Sequence, residues 1–419
     1  MKLYHGDIVY SENRDKLNVF ENSYIAIENG TVEGIYSSIP EKFTGAEVID
    51  HGRGLIIPAF SDLHVHASQF IQRGIGMDLL LNDWLNTYTF PQESHFADPE
   101  YAEPIYDAYI NDMIRNGTFH ASIFTTIHRN TVNILYKKLE EKGLWALVGK
   151  VNMDFQSPAY LCETTDKSLR ETEIFLEEHS SGERVKPILT PRFVPTCSRE
   201  LLSGLGKLGK KYGVGVQTHV VESLWEAGEA RRLFPDCNSD SQIYEKTGLL
   251  GNGPSIFAHF IFPTEDDFRV VKDYDCIAVH CPEATTNVIA GIMAVYHQQE
   301  LGVNITLGSD IGAGVKNGIY RQCAAAVKLS KLKEFYEPEI GKTITISNAF
   351  YMATKAPGSV FGKIGAFEPG YLFNALVIDG VEDKNHPMTP EQRLERFCYA
   401  GDDRNITARY LAGNKLSCV

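Results

Sequence analysis

The chain has 419 residues, 43% hydrophobic and 22% charged, an ordinary balance for a globular protein long enough to bury a large core. Its formal net charge of -14 argues against a nucleic-acid backbone or an anionic membrane surface as the main partner and leaves a small molecule in a local pocket. No apolar run is long enough to span a bilayer, residues 1–7 lack the apolar core of a signal peptide, and the 8 cysteines are scattered without a C-x-x-C pair, so a cytoplasmic protein with reduced thiols is expected.

Residues 1 to about 57 read as short β segments at 8–10, 23–27 and 32–36, separated by turn-rich pieces. The Asn29-Gly30 pair is a strong signal for a two-residue hairpin, and a small antiparallel sheet is expected. From His64 onward the pattern changes. Candidate strands at 118–126, 144–151, 185–190, 214–219, 255–259, 276–280 and 303–310 alternate with amphipathic stretches such as 167–179, 198–212 and 224–233. With the opening strand that ends in His64-Val65-His66, these make eight βα units and predict an α/β protein built on a (β/α)8 TIM barrel, its active site at the C-terminal strand ends. A doubly wound open sheet is the alternative; it would want a Gly-rich turn where His64-Val65-His66 stands. After Gly362 β character returns at 375–379 and 410–414. The expected organisation is a barrel over 58–363, with 1–57 and 364–419 together forming a small β-sandwich domain.

The residues that carry chemistry lie at predicted strand ends. On a strand, residues i and i+2 share a face, so His64 and His66 project together and can hold one metal ion. His-x-His alone is weak, but His219, His259 and Asp310 also end strands and would converge on the same barrel rim. His280 ends a strand before Cys281-Pro282 and reads equally well as structural. Glu222, three residues past His219, can lean over the metal and move protons. Taken alone it is a helix N-terminal carboxylate stabilised by the dipole; beside His219 the acid–base role is favoured. Acidic clusters such as Glu177-Glu178 read as solvated helix faces.

Together with the segments Pro58–Gln69, Trp84–Pro91, Gly149–Asp154, Thr190-Pro191-Arg192-Phe193, His219–Glu222, Ala258-His259, His280-Cys281-Pro282 and Gly308-Ser309-Asp310, these residues resemble the amidohydrolase superfamily of metal-dependent barrel hydrolases and, within it, the guanine deaminase family. The Trp84–Pro91 and Thr190–Phe193 pieces are the more specific. The resemblance covers nearly the whole chain and implies hydrolytic deamination of guanine to xanthine and ammonia by a homodimeric enzyme. It implies one zinc ion, with iron as an alternative, held by His64, His66, His219 and Asp310. It makes Glu222, His259 and Asp310 the catalytic candidates, with Glu222 moving protons and His259 contacting the water and the developing oxyanion. Gln69, Arg192 and Phe193 would contact the purine, and Trp84 would close the pocket. One departure stands out: the family follows His-Cys-Pro with a Ser-Asn pair, whereas here the run is Glu283-Ala284-Thr285-Thr286-Asn287.

Three other readings share these residues. The same metal set could deaminate or dechlorinate another aminated ring, such as a triazine, a pterin or another aminopurine. A binuclear hydrolase would need a bridging ligand, for which Lys186 on the fourth strand is the candidate. A metal-free structural relative should have lost ligands, and none is missing.

Overall fold

A computed structural model describes residues 1–383 and 385–417 of the chain. The first four strands are β1 (Lys2–Asn13), β2 (Lys16–Glu28), β3 (Thr31–Tyr36) and β4 (Glu47–Pro58). The β2–β3 hairpin turns on Asn29 and Gly30, whose φ angles of 51° and 81° suit the two-residue turn that the pair predicts. β1 pairs antiparallel with β2, but parallel with β4, so the sheet is mixed where an antiparallel one was expected.

The barrel follows with β5 (Phe60–His66), β6 (Thr118–Phe124), β7 (Trp145–Gly149) continued by β8 (Val151–Asn152), β9 (Val185–Pro187) continued by β10 (Thr190–Pro191), β11 (Val216–Val220), β12 (Ser255–His259), β13 (Ile277–His280) and β14 (Asn304–Leu307). Parallel ladders join β5-β6-β7-β9 and β11-β12-β13-β14. Backbone hydrogen bonds close the two seams. Leu189 N donates to Gly215 O at 3.0 Å and Gln217 N to Leu189 O at 2.9 Å, while Asp310 N donates to His64 O and His66 N to Ile311 O, both at 2.9 Å. Eight strands therefore form one closed ring, as the alternation of strand and helix predicts. β5, β6, β11 and β12 are buried along their whole lengths, as expected for strands covered on both faces.

The outer helices are set by local sequence. Ser198 caps the helix Arg199–Tyr212 by accepting from Leu201 N, Leu201, Leu202 and Leu205 bury its inner face, and Gly213 ends it at φ 65°. Thr264 and Asp267 form a reciprocal capping box on Glu265–Asp273.

The last strands, β15 (Ala375–Ile378), β16 (Ile406–Leu411) and β17 (Asn414–Lys415), return to the first sheet and complete seven strands in the order β17-β16-β15-β4-β1-β2-β3. The stretch 410–414, expected as one strand, is a hairpin: Ala412 and Gly413 turn at φ 46° and 76° between β16 and β17. The sheet curls on itself, because Ile25 and Val32 near one edge share a core with Tyr4, Phe373, Val377 and Tyr410 from the other side. Its opposite face, with Val9, Leu55, Ile57, Leu376 and Ile378, joins the core of the barrel. Among the described residues, no helix is long and apolar enough to cross a membrane, and the seven described cysteines are all free.

A buried ion pair fastens the chain ends. Arg393, on the helix Pro390–Ala400, donates to Asp7 of β1, and both side chains are buried. Asp7→Ala leaves a buried guanidinium unpaired and should cost about 3–5 kcal/mol. Urea unfolding should show this loss.

Candidate active site

His64 and His66 leave the end of β5 on one face, separated by one residue, as the strand period requires. His219 comes from β11 and His259 ends β12. Asp310 lies three residues beyond the end of β14, in the turn after Gly308 rather than on the strand. That turn packs tightly: a Cβ on Gly308 would lie 2.9 Å from the Cβ of His64. Val221, His259, Phe260 and Asp310 have φ values of 45°, 72°, 48° and 48°. Left-handed backbone is unfavourable for such residues, at roughly 1–3 kcal/mol each, and clusters at functional sites. Here it marks where the chain breaks from extended pairing at three strand ends on the same rim.

One ligand atom each from His64, His66, His219 and Asp310 lies within 4.8 Å of all the others. His66 Nε2 and His219 Nε2 are 3.2 Å apart, His64 Nε2 and Asp310 Oδ1 3.2 Å, and His66 Nε2 and Asp310 Oδ1 3.4 Å. A tetrahedral shell with metal–nitrogen bonds of roughly 2.0–2.1 Å has edges of about 3.3 Å. The donor set therefore fits a single first-row metal ion. Burial holds His64 at a pKa of about 3 and His66 and His219 well below the usual imidazole range, so all three are neutral, the form that ligates. Neither ring nitrogen of His64 has a hydrogen-bond partner. His219 Nδ1 donates to Arg192 O at 2.6 Å, which fixes its tautomer with the Nε2 lone pair turned into the cluster.

His259 stands slightly apart, its Nε2 at 3.7 Å from Glu222 Oε2 and 3.8 Å from Asp310 Oδ2. The Glu222 carboxyl is pushed up to about 8, by burial first and then by Asp310. Asp310 is raised well above the carboxylate range by burial, with Arg192 opposing. A cation among these groups relieves the cost of charging both. His280 is buried behind His259, and its ring nitrogens have no partner. Lys186 is exposed on β9 whereas the clustered residues are all buried, so the bridging-lysine reading loses its candidate.

Above the cluster opens a cavity of about 650 Å³, lined by Gln69, Trp84, Phe90, Arg192, Phe193, Trp225 and Ile289 as well as by His66, His219, Glu222, His259 and Asp310. All four residues expected to contact the substrate thus border it. Trp84 is buried and donates its indole N–H to Ile75 O at 3.0 Å. The helix Leu81–Trp84 runs on through a widened π turn, Leu85–Thr89, into Phe90–Ser94, so Trp84 and Phe90 reach the pocket from either side of that turn.

Arg192 borders the pocket already paired. Its Nη1 donates to Glu93 Oε2 at 2.6 Å and its Nη2 to Glu93 Oε1 at 3.2 Å. Gln69 Nε2 also donates to Glu93 Oε1, at 2.8 Å. Glu93 lies two residues past the Trp84–Pro91 segment, which was the available signal. Three more residues escaped the sequence reading. Phe124 stands 4.9, 4.9 and 5.0 Å from the rings of His64, His66 and His219 and floors the cluster with an apolar face. Glu226 Oε2 accepts the Glu222 N–H at 2.8 Å and holds the turn that carries Glu222. Asp62 accepts from the backbone N–H of both His64 and Ser309. The departing loop also has work: Glu283 accepts from Val315 N at 3.1 Å and Asn287 donates to Ala313 O at 2.7 Å, bracing the segment that follows Asp310.

A closed eight-stranded barrel whose C-terminal rim gathers histidines and one aspartate beneath a substrate-sized pocket defines a class of barrel enzymes built around one metal centre. The chain belongs to the amidohydrolase family, which residues 55–416 match. A solved guanine deaminase from C. acetobutylicum, with guanine bound in its active site, superposes with a TM-score of 0.96 at 41% identity, covering 99% of this chain and 100% of that one. The guanine deaminase of Dictyostelium discoideum is 32% identical over 99% of this chain and 98% of its own length. That of Homo sapiens is 32% identical over 86% and 82%.

The ligand set has a direct consequence. His219→Ala should lower bound metal and activity together, read by elemental analysis and by turnover; full metal occupancy in the variant would remove His219 from the set.

Proposed function

We propose that the protein hydrolyses guanine to xanthine and ammonia at a single metal centre. The observation that supports this most is the pairing, within one pocket, of the His/Asp cluster with the Arg192–Glu93–Gln69 wall, on a chain 41% identical over its length to a guanine-bound deaminase. His64, His66, His219 and Asp310 are assigned as ligands, with zinc as the ion and iron as the alternative that the same donors accept. When bound, the ion supplies Lewis acidity and brings the pKa of a water down to about 7. The water oxygen adds to C2 as the C2=N3 bond opens; Glu222 takes one water proton and passes it to N3, then carries the second to the amine, so that ammonia leaves as the C2–N bond breaks and C2=O forms. His259 contacts the attacking oxygen and steadies the negative charge that develops there. Phe193 and Trp84 offer flat apolar surfaces for the ring and exclude water. The homodimeric state belongs to this proposal on the strength of the family resemblance, and the cytoplasmic location on the reading of the sequence.

Arg192 and Gln69 line the cavity with N–H groups beyond those committed to Glu93, and donors suit the guanine carbonyl at C6. Adenine presents an amine there and would leave buried donors unpaired, at about 1–3 kcal/mol or more for a charged group. In an ammonia-release assay over purines and pyrimidines, guanine should be turned over and adenine and cytosine should be poor substrates. Comparable rates on adenine and guanine would move the protein to another branch of the family.

Glu222→Gln keeps the size of the side chain and loses its titratable proton. It should retain metal yet lose kcat by about 10² or more. Near-normal turnover would remove Glu222 from the proton pathway.

A further inference from the structure

Glu93 is 1% exposed and Arg192 4% exposed, so their ion pair sits out of water at the inner wall of the pocket. Every bond on this wall can be counted. Glu93 Oε2 accepts from Arg192 Nη1, and Glu93 Oε1 accepts from both Arg192 Nη2 and Gln69 Nε2. Gln69 Oε1 accepts the Gly312 N–H at 3.1 Å. The Phe90 ring lies 5.1 Å from the guanidinium carbon of Arg192 and limits its movement on another side. What Arg192 has left to offer a ligand is N–H donors alone, and Gln69 adds its second N–H beside an oxygen that is already bonded once. Glu93 also cancels the charge of Arg192, leaving a wall that donates hydrogen bonds and carries no net charge.

We propose that Glu93 is a specificity-determining residue. It holds Gln69 and Arg192 so that the wall selects an uncharged ring offering acceptor atoms and rejects an anionic ring. The inference rests on the purine reading of the pocket. Without the Glu93 carboxylate, the Gln69 amide is free to turn its oxygen towards the ligand, and Arg192 becomes an uncompensated buried cation that attracts anions. Selection against a charged competitor is then a property of a residue behind the one that touches the substrate.

The test compares metal-loaded wild type with Glu93→Gln, using guanine as substrate and two ring competitors: hypoxanthine, uncharged at neutral pH, and urate, an anion there. In the wild type, hypoxanthine should compete better than urate by about tenfold or more. In Glu93→Gln, KM for guanine should rise while urate binds about tenfold tighter, with metal content by elemental analysis unchanged. Opposite movement of the two affinities is a response that loss of packing does not produce, since a loosened pocket weakens both. In the double variant Glu93→Gln/Arg192→Gln the gain in urate affinity should vanish. Urate affinity that stays level or falls together with that of guanine in Glu93→Gln would overturn the proposal. Should that variant fail to fold, equal competition by hypoxanthine and urate in the wild type would overturn it alone. A wild type that releases no ammonia from guanine would instead overturn the purine reading.

Discussion

The structure depends on the seam where the first barrel strand meets the last. Asp62, 3% exposed, lies on the same face of β5 as His64 and His66 and accepts hydrogen bonds from His64 N at 3.2 Å and Ser309 N at 3.0 Å, and from the Ser309 hydroxyl. Burial pushes its carboxyl up to about 7 against the pull of these donors. The residues joined are 247 positions apart in sequence, yet the register they set brings Asp310 beside His64 and His66. Every other feature of the rim is arranged on strands whose relative height this closure decides.

Above the seam the site is dry and polar at once. Phe124 and the strand interiors exclude water, which keeps the imidazoles neutral and makes the carboxylates costly to charge. A site of this kind is poorly stable by itself and relies on the bulk of the barrel. The left-handed residues at three strand ends belong to the same economy: an extensive core tolerates local strain where function needs a sharp change of direction.

Much of this was legible in the sequence because it follows from local periodicity. Alternating apolar strands and amphipathic helices specify eight units, and histidines at strand ends specify a rim. Boundaries were less legible where pairing is long-range. The stretch 410–414 reads as a strand by composition, but Ala412-Gly413 turns it into a hairpin, and Asp310 lies past its strand because after Gly308 the chain leaves the β13 ladder and bonds across the seam to His64 instead. Glu93 escaped notice for a different reason. A glutamate on a short helix ordinarily faces water, and only the fold brings it to Gln69 and Arg192, which are 24 and 99 positions away. Phe124 and Glu226 were missed likewise, since their significance lies in which neighbours they meet.

Residue 192 serves two masters through two parts of itself. Its carbonyl oxygen receives the Nδ1–H of His219, while its guanidinium borders the substrate cavity. Any amino acid supplies the carbonyl, and only the side chain is written in the gene. The hydrogen bond that orients His219 therefore survives most changes of codon at this position, whereas the charge that Arg192 sets against the burial of Asp310 does not.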